Sequence, residues 1–121
     1  MALTKIEIIT RANKLDELIA ALNDIGVLGL TVTQVFGSGL QRGQRDGKQS
    51  VEINLLPKIK VETVICEIPV KTVMETAQKV LKTGKIGDGK IFVYNMEDAM
   101  RIRTGDCGED AIRDINHEEK D

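Results

Sequence analysis

The 121-residue chain has almost no aromatic side chains: Phe36, Phe92 and Tyr94 make up 2% of it, and tryptophan is absent. Stacking surfaces for single-stranded nucleic acid need several aromatics together, which three cannot supply. Excess charge is missing as well. Seventeen Lys and Arg against 19 Asp and Glu leave a net charge of −2, the wrong balance for a generic phosphate-backbone binder. Nucleic acid is not an expected partner. His117 is the single histidine, and its place in NHEEKD makes imidazole-based catalysis or metal binding improbable. Cys66 and Cys107 form no CxxC, so neither a zinc knuckle nor a disulfide framework is indicated. Two free thiols suit a reducing cytoplasm. No apolar run approaches the roughly 18 residues of a membrane span, and MALTKIEII lacks the features of a secretion signal. A cytoplasmic chain without direct membrane insertion is expected.

What remains is 41% hydrophobic residues, nearly all aliphatic, in a length that suits one domain. Residues 5–10, KIEIIT, read as a strand with Ile6 and Ile8 on one face. Asn13 has the chemistry of a helix N-cap, and Asp16 would favour the first turn. Leu15, Leu18, Ile19, Leu22 and Ile25 follow at helical spacing, with Gly26 as the stop. Leu30–Phe36 returns to β chemistry. Residues 37–49, GSGLQRGQRDGKQ, read as a long, mobile hairpin connection. A further strand starts near Val51, is interrupted at Pro57 and ends in KVETVI. Pro69 opens a second helix with the stripe Val70, Val73, Met74, Ala77, Val80 and Leu81, closed by Gly84. IFVYNM forms the last strand, and the remainder is acidic and weakly patterned.

The order β-α-β-β-α-β predicts an α+β, ferredoxin-like fold: an antiparallel sheet with two helices on one face. The last two strands carry apolar residues on both faces. Oligomerisation is the simplest cover for the sheet's other side.

Thr83–Val93, TGKIGDGKIFV, is the most informative segment. Gly84–Lys90 fits G-x-x-x-x-G-K, yet Ile91 stands where a P-loop has its magnesium-binding hydroxyl. A helix also precedes and a strand follows, the reverse of a P-loop. Gly87 and Gly89 still offer unobstructed N–H groups, with Lys85 and Lys90 beside them, so an anion is favoured. The plain alternative is a helix stop followed by a turn. Arg101 and Arg103 are two apart and share one side of an extended chain, an arrangement that suits phosphate oxygens. Gly37–Gly43 is not a dinucleotide fingerprint, because its third glycine falls one position late and no helix follows. Lys58 and Glu62 share a strand face, where a surface ion pair is the ordinary reading.

These residues resemble the PII signal-transduction family from residue 5 to about 112. TGKIGDGKIFV at 83–93 fits the family's C-terminal signature throughout. KLDEL at 14–18, GLTVTQV at 29–35, LLPKIKVE at 55–62 and RIRTG at 101–105 support it. The resemblance implies a homotrimer in which ATP and ADP compete for clefts between subunits. Gly87, Asp88, Gly89 and Lys90 would surround the phosphates, with Arg101 and Arg103 reaching in from the neighbouring subunit. Thr31, Glu62 and Val64 match positions near the adenine, and Gly37 and Gly39 match the mouth of the large T-loop. Gln41 and Lys58 match the residues that hold Mg2+ and the distal carboxylate of 2-oxoglutarate. The domain would cover 1–112, with the T-loop at about 37–53 and an acidic tail at 113–121.

The T-loop departs from the family pattern. Y-R-G-x-E-Y is replaced by DGKQSV at 46–51, the loop is two residues shorter, and Val51 stands where many members have a modified tyrosine. Ser38 and Leu40 replace residues that are commonly aromatic and basic. The resemblance implies a sensor that regulates a membrane transporter or a nitrogen-metabolism enzyme or regulator through this loop, with Arg42 or Arg45 as contacts. An adenylate-only sensor of a non-ammonium transporter is the alternative. A small ferredoxin-fold ATPase or phosphotransferase is the enzymatic one, and it lacks a credible nucleophile or general base.

Overall fold

A computed structural model describes residues 2–45 and 48–113, and for 39–54 it describes the backbone only. Strand β1 spans Leu3–Thr10, helix α1 Leu15–Asp24, β2 Thr31–Arg45, β3 Lys48–Ile65, α2 Val70–Leu81, β4 Lys90–Met96 and a short α3 Glu109–Ile112. The sheet order is β2-β3-β1-β4 with every neighbouring pair antiparallel. Each helix therefore links two strands that have a third inserted between them, which is the ferredoxin-like split βαβ arrangement.

The alternation along β1 explains the layering. Ile6 and Ile8 are buried and stand opposite Thr63 and Val61 on β3. On β4 they face Val93 and Ile91. Leu18 and Leu22 of α1, with Val73 and Ala77 of α2, close over this face, and all four are fully buried. The aliphatic stripes thus make the core, as the helical spacing predicts. The opposite face carries Lys5, Glu7, Lys60, Glu62, Phe92 and Tyr94; Lys5 Nζ lies 5.1 Å from the centre of the Tyr94 ring.

Five local expectations need correction. Asn13 is not an N-cap: Ala12–Lys14 form a 3-10 turn, and α1 begins after Lys14 without a side-chain cap. Pro57 does not interrupt β3; it pairs with Phe36. β1 reaches β3 only from Thr10↔Ile59, so Pro57 lies where β3 has a single neighbour, the setting in which a sheet tolerates proline. α2 stops at Leu81, where Lys82 turns extended, and Gly84 belongs to the following loop. The segment after β4 is patterned enough to form α3. Finally, the segment read as a long hairpin connection, 37–49, is strand in its described residues, 37–45 in β2 and 48–49 in β3. The β2–β3 ladder runs from Thr31↔Glu62 to Arg45↔Lys48, because glycines and polar residues still carry backbone donors and acceptors that pair across strands.

Candidate functional site

The segment between α2 and β4 is built around one carboxylate. Asp88 Oδ2 accepts the N–H groups of Thr83 at 2.8 Å and Gly84 at 3.0 Å. Its Oδ1 accepts the Thr83 hydroxyl and the Arg11 guanidinium. The Thr83 hydroxyl and N–H, with Arg11 and the Gly84 N–H adding to them, hold the Asp88 carboxyl well below the usual carboxylate range. The Asp88 side chain therefore serves the loop itself.

Three side chains from elsewhere attach to successive loop carbonyls. Arg11 Nη2 donates to Ile86 O at 2.9 Å, Lys58 Nζ to Gly87 O at 2.8 Å, and the Thr10 hydroxyl to Asp88 O at 2.8 Å. Crowding requires glycine at position 89, where the neighbour is backbone; at Gly87 the neighbour is the movable tip of Arg11. A Cβ on Gly87 would stand 2.9 Å from Arg11 Nη2, and one on Gly89 only 1.8 Å from the carbonyl oxygen of Ile9. Both residues also hold positive φ, +107° and +104°, which side chains rarely adopt. Gly37 belongs to the same neighbourhood: a Cβ there would meet the Lys58 stem at 3.3 Å. Lys90 opens β4 opposite Ile9. With Asp88 and Gly89 it borders a pocket of about 390 Å³.

Thr31, Glu62, Val64, Arg101 and Arg103 lie elsewhere, together lining a cleft of about 850 Å³. Glu62 forms its ion pair with Lys5, Nζ to Oε2 at 2.7 Å, and not with Lys58. That bond lowers the Glu62 carboxyl and raises the Lys5 ammonium. Arg101 and Arg103 are not in an extended strand. A Met100–Cys107 bridge closes a turn in which Gly105 N–H donates to Arg101 O at 2.7 Å. The Arg101 guanidinium binds the Asp106 carboxylate at 3.3 Å and the carbonyls of Ala111 and Arg113 at 3.3 and 3.1 Å. Tertiary contacts, rather than strand alternation, bring the two arginines to one cleft.

The expected binding residues therefore form two groups in one chain. Lys5 borders the cleft, whereas Ile9 packs on the glycine loop and Thr10 bonds to it, and the five strand steps from Lys5 to Thr10 span roughly 16 Å. Gly39 pairs with Asn54 in the hairpin. The side chains of Gln41, Arg42 and Arg45 lie outside the described residues. Sequence reasoning missed Arg11, Thr10, Thr83 and Lys5. The Thr83-to-Asp88 spacing is a local signal for a self-bonded turn, but nothing local links Arg11 to a residue 77 positions away.

A family model described as nitrogen regulatory protein P-II matches residues 3–106. The nitrogen regulatory protein P-II of Rhodospirillum rubrum is 48% identical over 110 residues, covering 89% of this chain and 98% of the relative. A nitrogen regulatory PII-like protein of Bacillus subtilis is 44% identical, with 89% and 95% covered. Among solved structures, B. subtilis GlnK superposes with a TM-score of 0.82 at 42% identity, covering 92% of this chain and 99% of that one. A B. subtilis GlnK–ATP complex gives the same TM-score and identity, with 91% and 97% covered. Fold and sequence agree over most of the length, and the chain belongs to the P-II family of nitrogen regulatory proteins, which are signalling proteins rather than enzymes.

Proposed function

We propose that the protein is a cytoplasmic homotrimeric sensor in which ATP and ADP compete for a site completed by two copies of the chain. The division of the binding residues into two separate groups carries this reading. A triphosphate held by Gly87, Asp88, Gly89 and Lys90 leaves Arg101 and Arg103 of the same chain at the far cleft, so a neighbouring copy's arginines are the ones that reach it. Thr31, Glu62 and Val64 share the cleft with those arginines, in keeping with an adenine pocket. The similarity to a GlnK–ATP complex supports ATP as the ligand.

ATP and ADP differ by one phosphate, and a ligand shifts a conformational equilibrium only by its differential affinity for the two states. Lys58 donates to the glycine loop at Gly87, and its stem lies beside Gly37, where an added Cβ would meet it at 3.3 Å. It is the side chain through which the extra phosphate would bias the T-loop, with Gln41 holding Mg2+. The hairpin would then engage or release a membrane transporter or a nitrogen-metabolism target through Arg42 or Arg45. Calorimetry with MgATP and with ADP, each with and without 2-oxoglutarate, tests this. Competition between the nucleotides and tighter MgATP binding with the keto acid are expected. Competition without that enhancement selects the adenylate-only sensor, and no nucleotide binding at millimolar concentration rejects both.

A further inference from the structure

The tethers on the glycine loop fall on three consecutive peptide groups. Arg11 holds the Ile86 carbonyl, Lys58 that of Gly87, and Thr10 that of Asp88. No peptide bond among the described residues is cis. In a planar trans peptide the N–H points opposite to the C=O. Fixing these carbonyls therefore turns the N–H groups of Gly87, Asp88 and Gly89 away from the tethering side chains. Among the described residues, none of these N–H groups donates to another backbone group. Without the tethers, peptides flanked by two glycines would rotate at little cost, since glycine occupies either sign of φ.

Arg11 does more than the other two. Its Nη2 holds Ile86 O, while its Nη1 binds the Asp88 carboxylate and lies 3.4 Å from the Thr83 hydroxyl. One guanidinium thus joins the start, middle and end of the loop. Both of its terminal nitrogens are engaged inside the protein, and it fills the space where a Gly87 side chain would stand. We propose that Arg11 is a positioning residue for the polyphosphate: it holds the Gly87–Gly89 peptides as a formed anion nest before a ligand arrives. This deepens the nucleotide reading above and rests on it. Donors fixed in advance cost no reordering on binding.

The experiment compares the wild-type chain with Arg11→Ala, Arg11→Lys, Asp88→Asn and the Arg11→Ala/Asp88→Asn double variant. ATP, ADP and adenosine are titrated by calorimetry, and the Gly87 and Gly89 amides of the ligand-free proteins are followed by NMR. Arg11→Ala should weaken ATP and ADP by the same factor, about tenfold, the scale of one charge-assisted hydrogen bond, and leave adenosine unchanged. The two glycine amides should shift before any ligand is added. Asp88→Asn, which keeps the side chain's shape, should act in the same direction, and the double variant should be no weaker than the worse single one. Arg11→Lys should recover part of the loss. The proposal is overturned if ATP weakens while ADP does not, since that marks direct contact with the third phosphate. Multiplicative losses in the double variant, or unmoved ligand-free amides, overturn it too. If the wild-type chain binds no adenine nucleotide, the nucleotide reading falls on its own. Pyrophosphate titration of the same variants, read at the two amides, then decides the role of Arg11: weakening in Arg11→Ala supports it, and equal binding overturns it.

Discussion

Two glycine-rich, basic segments of this chain have similar compositions and opposite kinds of support. GKIGDGK at 84–90 is tied by side chains of Thr10 in β1, Arg11 just after it and Lys58 in β3 to three of its carbonyls and to one carboxylate. GSGLQRGQR at 37–45 is held through its backbone ladder to β3, and beyond Ile59 the described β3 has no pairing with β1. A two-stranded ribbon is marginally stable by itself. The number of independent elements attached to a segment, rather than its glycine content, decides how far its shape is fixed. This difference suits a binding cradle that stays in place beside a ribbon able to respond.

The comparison breaks most directly at Gly89. Gly89→Ala drives a Cβ into the Ile9 carbonyl and imposes strain at positive φ, and should cost on the order of 3 kcal/mol in urea unfolding. A loss below ~1 kcal/mol would show the loop to be as pliant as the ribbon. Asp88→Asn probes the same cradle through pH. The folded carboxyl lies below its ordinary value, so its contribution is present above about pH 4 and is lost as pH falls through the lower folded value. The stability gap between wild type and variant should therefore narrow on acidification below about pH 4. A gap constant from pH 6 to 3 would remove Asp88 as the loop's organiser.

The ribbon should behave in the opposite way. Replacing residues 40–53 by Asn-Gly joins the paired residues Gly39 and Asn54 through a two-residue turn. It should move the thermal midpoint by less than about 5 °C, under ~1 kcal/mol for a domain of this size. A larger fall would mean that the ribbon supports the core. The smallest effect is expected at Asn13→Ala. A true N-cap loses about 1 kcal/mol on such a change, whereas here no cap bond exists, so a change within about 0.5 kcal/mol is expected.

Much of the fold was legible because apolar spacing reports which face of an element is buried. Ile6 and Ile8, Leu18 and Leu22, and Val73 and Ala77 could be read as core directly, and all are buried. The hairpin ladder was not legible, because backbone pairing leaves no mark in a run of glycine and polar side chains. Asn13 misled for a related reason: cap chemistry states a preference, and the 3-10 turn at Ala12–Lys14 overrode it. At the site, the glycine and cation residues could be found from local spacing. Their partners could not, since Arg11 and Asp88 meet only when β1 and β4 pair.

By itself the sequence determined the order of elements, the aliphatic core and the family signature at 83–93. Each follows from local periodicity or a contiguous motif. Tertiary structure alone decided that Asp88 faces inward to Arg11 and Thr83, that Lys58 serves Gly87 rather than Glu62, and that the cleft arginines lie apart from the glycine loop. Those outcomes depend on which strands become neighbours, and strand pairing joins residues far apart in the chain.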